Sequence, residues 1–280
     1  MLARLLFLLF FFCMTTSGAS RAETALTPGE EEIPGFAVVQ RGHGLSLHRN
    51  NYILPATWSS DYNGKSTEII YQLSIKQRLF VNNLYAGYTQ KSFWQAFNRD
   101  ASAPFRETNY NPEIFYRWLP GDDMFRRWHL DRWGFDAGFE HESNGRTWPD
   151  SRSLNRFYFA PFRVASDGHN LWYLKAWHRL RENEKNGPLD QGGDDNPDYY
   201  RYSGWTQIEY IHHFRNQWMA QAMTRGNLAT GRGAFELKIS VPAPDRSFFW
   251  MLDVFNGYGE SLIDYNHNTT RIGLGILFNR

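Results

Sequence analysis

His141 and Ser143 stand two positions apart in the run GFEHESNGRTWPDSRSLNRFY (138–158), and Asn155 follows across a polar, proline-containing turn. A histidine within reach of a serine can take the hydroxyl proton and turn the oxygen into a nucleophile. The imidazole then needs a third group that fixes its tautomer, and an asparagine can serve through its amide oxygen. The chemistry open to such a trio is acyl transfer by way of an acyl-serine. A His-x-Ser dipeptide recurs widely by chance, so the elements that carry it must decide.

The flanks of the run alternate. Trp133, Phe135, Ala137 and Phe139 share one face with His141 and Ser143, while Arg132, Asp136 and Glu140 share the other. On the return, Asn155, Phe157 and Phe159 fall together and Arg156 opposes them. Strand side chains repeat with period two, so the pattern predicts a β-hairpin with its tip near Trp148 and Pro149. A tip there sets Asn155 roughly opposite His141, within cross-strand reach. The three polar groups continue an apolar face, where idle polar groups are expensive.

The chain has 280 residues, a formal net charge of +1 and 17% aromatic residues. That charge offers no electrostatic case for nucleic acid. The mean hydropathy is -0.57. Beyond the N-terminus no stretch approaches the roughly 20 apolar residues that a spanning helix needs. Arg4, the apolar run from Leu5 to Cys13 and the small residues before Ala22 read as a secretory signal peptide over 1–22. Cys13, the one cysteine, lies inside it, so thiol catalysis, disulfides and cysteine metal sites are excluded from the mature chain. Residues 23–50, polar and punctuated by Gly and Pro, are expected to form a loosely ordered periplasmic arm.

From Asn51 onward about twelve stretches alternate with period two. They lie near 52–58, 67–79, 81–93, 111–118, 128–141, 152–165, 171–182, 199–212, 217–228, 231–243, 247–258 and 269–279. Ile69, Tyr71, Leu73 and Ile75 oppose Glu68, Gln72, Ser74 and Lys76; Phe235, Leu237, Ile239 and Val241 oppose Glu236, Lys238 and Ser240. Strands of about ten residues with one apolar face suit an all-β, twelve-stranded antiparallel transmembrane barrel over 51–280, apolar side to lipid. Charges on the inner face argue against a soluble β-sandwich. The long polar connections, including 98–109, 142–151 and 182–198, then share one rim, the outer one, and carry the trio there. A non-catalytic porin or structural barrel is the competing reading.

Several blocks, in order, resemble outer-membrane phospholipase A. They are Tyr88-Thr89-Gln90-Lys91, Pro104-Phe105-Arg106-Glu107-Thr108-Asn109-Tyr110, the His141–Asn155 hairpin, Asp194-Asp195-Asn196-Pro197-Asp198 and Gly257-Tyr258-Gly259-Glu260-Ser261-Leu262-Ile263-Asp264-Tyr265-Asn266. The resemblance implies His141 as base, Ser143 as nucleophile and Asn155 as orienter. The implied activity is calcium-dependent hydrolysis of acyl esters at either glycerol position of phospholipids, and of lysophospholipids, by an enzyme of the bacterial outer membrane with its site toward the outer leaflet.

The resemblance also implies the Ca2+ ligands: Ser102, the Arg146 carbonyl, the Ser151 hydroxyl and Asp195, the last at a monomeric site. Calcium favours such hard oxygen donors. It further implies an active homodimer, with Ser102 serving the partner's site and Gln90 at the dimer contact. The chain departs from the pattern at Glu142, where an aspartate is expected, and at Trp148 and Asp150 between the ligands.

Overall fold

A computed structural model describes residues 36–39, 44–59, 67–80, 83–120, 131–183, 185, 187 and 193–280. All fall within the compact unit Glu32–Arg280. The signal-peptide reading of 1–22 lies outside the described residues, as does the first part of the expected arm.

Twelve strands close into one antiparallel barrel. They are β2 (Tyr52–Ser59), β3 (Ile69–Arg78), β4 (Leu84–Trp94), β5 (Phe105–Trp118), β6 (Arg132–Ser143), β7 (Ser153–Val164), β8 (Asn170–Arg179), β9 (Thr206–His213), β10 (Met219–Asn227), β11 (Arg232–Pro242), β12 (Phe249–Tyr258) and β13 (Asn268–Leu277). Neighbours in sequence pair, and β13 pairs with β2 to shut the sheet. Closure leaves no free edge, as hydrocarbon surroundings demand. A short β1 (Leu45–Leu47) pairs with β3 beside the barrel seam.

The two faces separate as the alternation requires. Outward lie Trp133, Phe157, Phe159, Phe235, Trp250, Ile272 and Leu274, each about half exposed. Inward lie the charges, and they are paired. Arg117 donates from Nε and Nη2 to the two Asp136 oxygens at 2.7 Å each. Glu236 holds Lys238, and Arg271 reaches Asp253 and Glu260. Apolar groups toward lipid and a polar lumen of paired charges mark a membrane barrel. The lumen keeps a cavity of about 230 Å3 walled by side chains of several strands, including Glu113, Lys175 and Lys238.

Three expectations change. β5 begins at Phe105, so the loop expected to run to Asn109 ends earlier. Arg106 and Glu107 face the rim network described below, which masked the alternation. The strand expected from 199 begins at Thr206, because Tyr200–Ser203 forms a short helix ending at Gly204. The later part of the arm is docked. Phe36 and Val39 are fully buried, the Val38 carbonyl accepts from Arg117 at 2.7 Å, and His48 meets Glu113 at 2.8 Å.

Candidate functional site

The β6–β7 hairpin is in the register its alternation implies: His141 pairs with Asn155 and Ser143 with Ser153. Its lumen face is locked by charge. Glu140 lies 2.8 Å from both Arg156 Nε and Lys175 Nζ, and Arg156 Nη2 donates to Glu142 at 2.9 Å. Glu142, the unexpected residue, therefore faces inward, in an ion pair behind the site. Gly138 allows β6 to approach β5 closely, since a Cβ there would lie 2.6 Å from the Ile114 carbonyl oxygen.

On the opposite face His141 Nδ1 and Asn155 Oδ1 are 2.9 Å apart. Asn155 Nδ2 donates to Glu182 Oε1 at 2.8 Å. That second bond turns the amide oxygen toward the imidazole, because Nδ2 is engaged elsewhere. Ser143 continues the same strand face, two residues along from His141 and opposite Tyr110 on β5. Among the described residues no hydrogen bond joins the Ser143 hydroxyl to His141; such contacts commonly tighten only with substrate.

The hairpin tip is stapled by Asn144. Its Oδ1 accepts from the Arg152 and Arg146 backbone N–H groups at 2.9 and 3.3 Å, and its Nδ2 donates to the Asp150 carbonyl at 2.8 Å. Gly145 takes φ +66°, the left-handed region. Glu107, buried at the head of β5, gathers the rim. It accepts from Asn109 at 2.7 Å and from the Ile263 N–H at 3.2 Å, and Arg146 Nε lies 3.2 Å away.

The Asp194-Asp195-Asn196 turn docks on the start of β7. Asn196 Oδ1 accepts from the Ser153 N–H at 3.1 Å, Arg179 pairs with Asp194, and Ser151 Oγ donates to Asp195 Oδ2 at 2.7 Å. Lys185 Nζ sits 3.0 Å from Asp195 Oδ1. Tyr265 Oη donates to Asp198 at 2.5 Å. Burial, then that hydrogen bond and charge, push the Tyr265 phenol up from its usual range.

The four expected calcium ligands are thus not equally gathered. Ser151 and Asp195 touch. Arg146 lies on the same hairpin loop, its guanidinium turned to Glu107. Ser102 stands on the separate β4–β5 loop at φ +58°, and no hydrogen bond links it to the other three. No group of three or more His, Cys, Asp or Glu side chains suited to a metal occurs among the described residues. The donors present are hydroxyl, carboxylate and carbonyl oxygens, a set that fits calcium and no softer ion. Gln90 lies on the outer wall of β4, accepting from Tyr88 Oη at 2.9 Å and donating to Ser92 Oγ at 3.1 Å.

A family model described as phospholipase A1 matches residues 38–278. The chain belongs to the phospholipase A1 family of outer-membrane enzymes. The Klebsiella pneumoniae phospholipase A1 is 36% identical over 253 residues, 84% of this chain and 82% of that protein. The Escherichia coli phospholipase A1 is 37% identical over 223 residues, 78% of this chain and 71% of its own length.

Solved structures agree. The outer membrane phospholipase A of Escherichia coli matches with a TM-score of 0.70 at 33% identity, covering 84% of this chain and 98% of that one. A calcium-bound dimer of the Salmonella typhi outer membrane phospholipase matches with a TM-score of 0.73 at 32% identity, covering 87% and 96%. A further Escherichia coli structure, TM-score 0.71 at 33% identity over 84% of this chain and 91% of that one, is an active-site mutant with asparagine replaced by alanine. Family and barrel together place this phospholipase in the bacterial outer membrane.

Proposed function

We propose that this phospholipase hydrolyses acyl esters of phospholipids at either glycerol position, and of lysophospholipids, with His141, Ser143 and Asn155 as its working trio. The observation that carries the reading is the 2.9 Å contact between His141 Nδ1 and Asn155 Oδ1 on the lipid-facing wall. A barrel wall gains nothing from a polar pair there, because idle polar groups toward lipid are expensive.

The steps follow from the chain's own groups. Asn155 Oδ1 accepts from His141 Nδ1–H, which leaves Nε2 free to receive a proton. Ser143 Oγ attacks the ester carbonyl as its proton passes to His141 Nε2. The same proton then goes to the departing alcohol oxygen, and the acyl group stays on Ser143. Water, deprotonated by His141, attacks the acyl-serine; the fatty acid leaves and Ser143 regains its proton. Backbone N–H groups near Ser143 and Gly145 would stabilise the carbonyl oxygen as it gains charge. Glu182, through its bond to Asn155, positions the orienter.

The Ser151 hydroxyl, Asp195 and the Arg146 carbonyl would hold calcium, with Ser102 supplied to a partner copy's site. Calcium, when held there, would supply positive charge that stabilises the developing oxyanion. The calcium-bound dimer of the Salmonella typhi relative supports both the ion and the homodimer. Gln90, a polar group on the otherwise apolar wall beside Ser92, suits a contact between copies. The rim that carries the trio faces the outer leaflet in this reading.

The test uses purified full-length protein in detergent with dispersed phospholipid. Free fatty acid should appear with calcium and stop with chelator. Ion conductance through liposomes without fatty acid release would instead support a porin.

A further inference from the structure

The β8–β9 connection carries a lysine to the carboxylate read above as a calcium ligand. Lys185 Nζ lies 3.0 Å from Asp195 Oδ1, with the two side chains 13% and 6% exposed. The other carboxylate oxygen accepts from Ser151 Oγ at 2.7 Å. Both oxygens of Asp195 are therefore engaged, one of them by a full positive charge.

The backbone holds this lysine in place. The Asp194 N–H donates to the Asn183 carbonyl at 2.6 Å, and the Lys185 N–H donates to the Asp194 carbonyl at 3.4 Å. Asn183 and Lys185 thus both run against Asp194. Gly193 completes the fit, because a Cβ there would stand 2.6 Å from Lys185 Cα. A chain that merely let a surface lysine swing past would need neither feature.

We propose that Lys185 is a tethered cation that competes with calcium for Asp195. The inference rests on Asp195 being a ligand. An ammonium neutralises the carboxylate when no divalent ion is present. A divalent ion must then displace the ammonium from Oδ1 or bind beside it against repulsion, and either cost weakens calcium binding. The loop sets the calcium level at which the site fills, and lysine is the residue that tunes it.

Calorimetric titration of calcium chloride into the detergent-solubilised full chain tests this without reference to catalysis. Lys185→Gln should bind calcium about tenfold more tightly, since the pair is largely withdrawn from solvent screening. Lys185→Arg, which keeps the charge, should stay near wild type. Lys185→Met, which keeps the aliphatic stem, should bind calcium as tightly as Lys185→Gln, because the gain follows the lost charge and not a disturbed loop. Asp195→Asn separates the two ideas. Weakened calcium binding in Asp195→Asn, together with unchanged or weaker binding in both neutral lysine variants, overturns the competition alone. Wild-type affinity in Asp195→Asn overturns the ligand assignment and the competition with it.

Discussion

Asn155 Nδ2 donates to Glu182 Oε1 at 2.8 Å, so the amide that faces His141 is itself held from behind. An asparagine side chain can present either its oxygen or its nitrogen, and only the oxygen can accept from an imidazole N–H. Glu182 selects the oxygen. Glu182→Ala should lower kcat about threefold to tenfold with little change in KM, the scale of one hydrogen bond lost. The loss should vanish in an Asn155→Ala background, because the carboxylate then has no amide to orient. Equal losses in both backgrounds would assign Glu182 to loop stability instead.

Ser143→Ala should abolish fatty acid release while leaving the barrel folded. Removing the nucleophile of a comparable trio costs on the order of a millionfold in kcat. The substitution deletes one exposed-side hydroxyl that makes no hydrogen bond among the described residues, so heat-dependent gel mobility should not shift. A variant retaining wild-type turnover would remove Ser143 from the chemistry.

Much of the hairpin that carries this site is legible in the sequence. Period-two alternation around His141 and Asn155 set the hairpin, its register and the outward face, because a one-residue slip would invert every side chain. The inner charges at Lys76, Glu236 and Lys238 marked the lumen for the same reason. Where a residue answers to the rim instead of the pleat, the signal fails. Arg106 pairs with Glu68 and Asp264, and Glu107 gathers two loops, so the head of β5 read as connection. Phe36 and Val39 pack into the barrel from a segment too short to show a period. Glu182 and Lys185 sit in a loop, where spacing carries no direction; only the fold shows that one reaches Asn155 and the other Asp195.

Ser151→Ala should raise the calcium concentration needed for half-maximal activity by about tenfold while leaving activity at saturating calcium within a few-fold of wild type. The hydroxyl donates to Asp195 Oδ2 at 2.7 Å, so the change removes one oxygen donor and leaves that carboxylate oxygen only the longer 3.4 Å bond from Ser153 Oγ. Loss of a single neutral ligand weakens an oxygen cage without dismantling it. A calcium titration of hydrolysis decides the point, and an unchanged midpoint would exclude Ser151 from the cage.

Glu140 stands on the lumen face directly behind the pair it helps to align. It meets Arg156 Nε and Lys175 Nζ at 2.8 Å each, and its neighbour across β5 is Glu113. Glu140→Gln takes the direct carboxylate partner from two buried cations, leaving Glu142 in contact with Arg156. Breaking a buried ion pair by removing one partner typically costs about 3–5 kcal/mol, because the remaining charge is uncompensated. Urea unfolding of the detergent-solubilised variant should show a loss of that size. Turnover measured below the unfolding transition should also fall, since Arg156 lies next to Asn155 and anchors the register of β7 against β6. A double variant, Glu140→Gln with Lys175→Met, removes one of the stranded cations and should recover part of the stability. No recovery would mean that Glu140 acts through packing and not through charge.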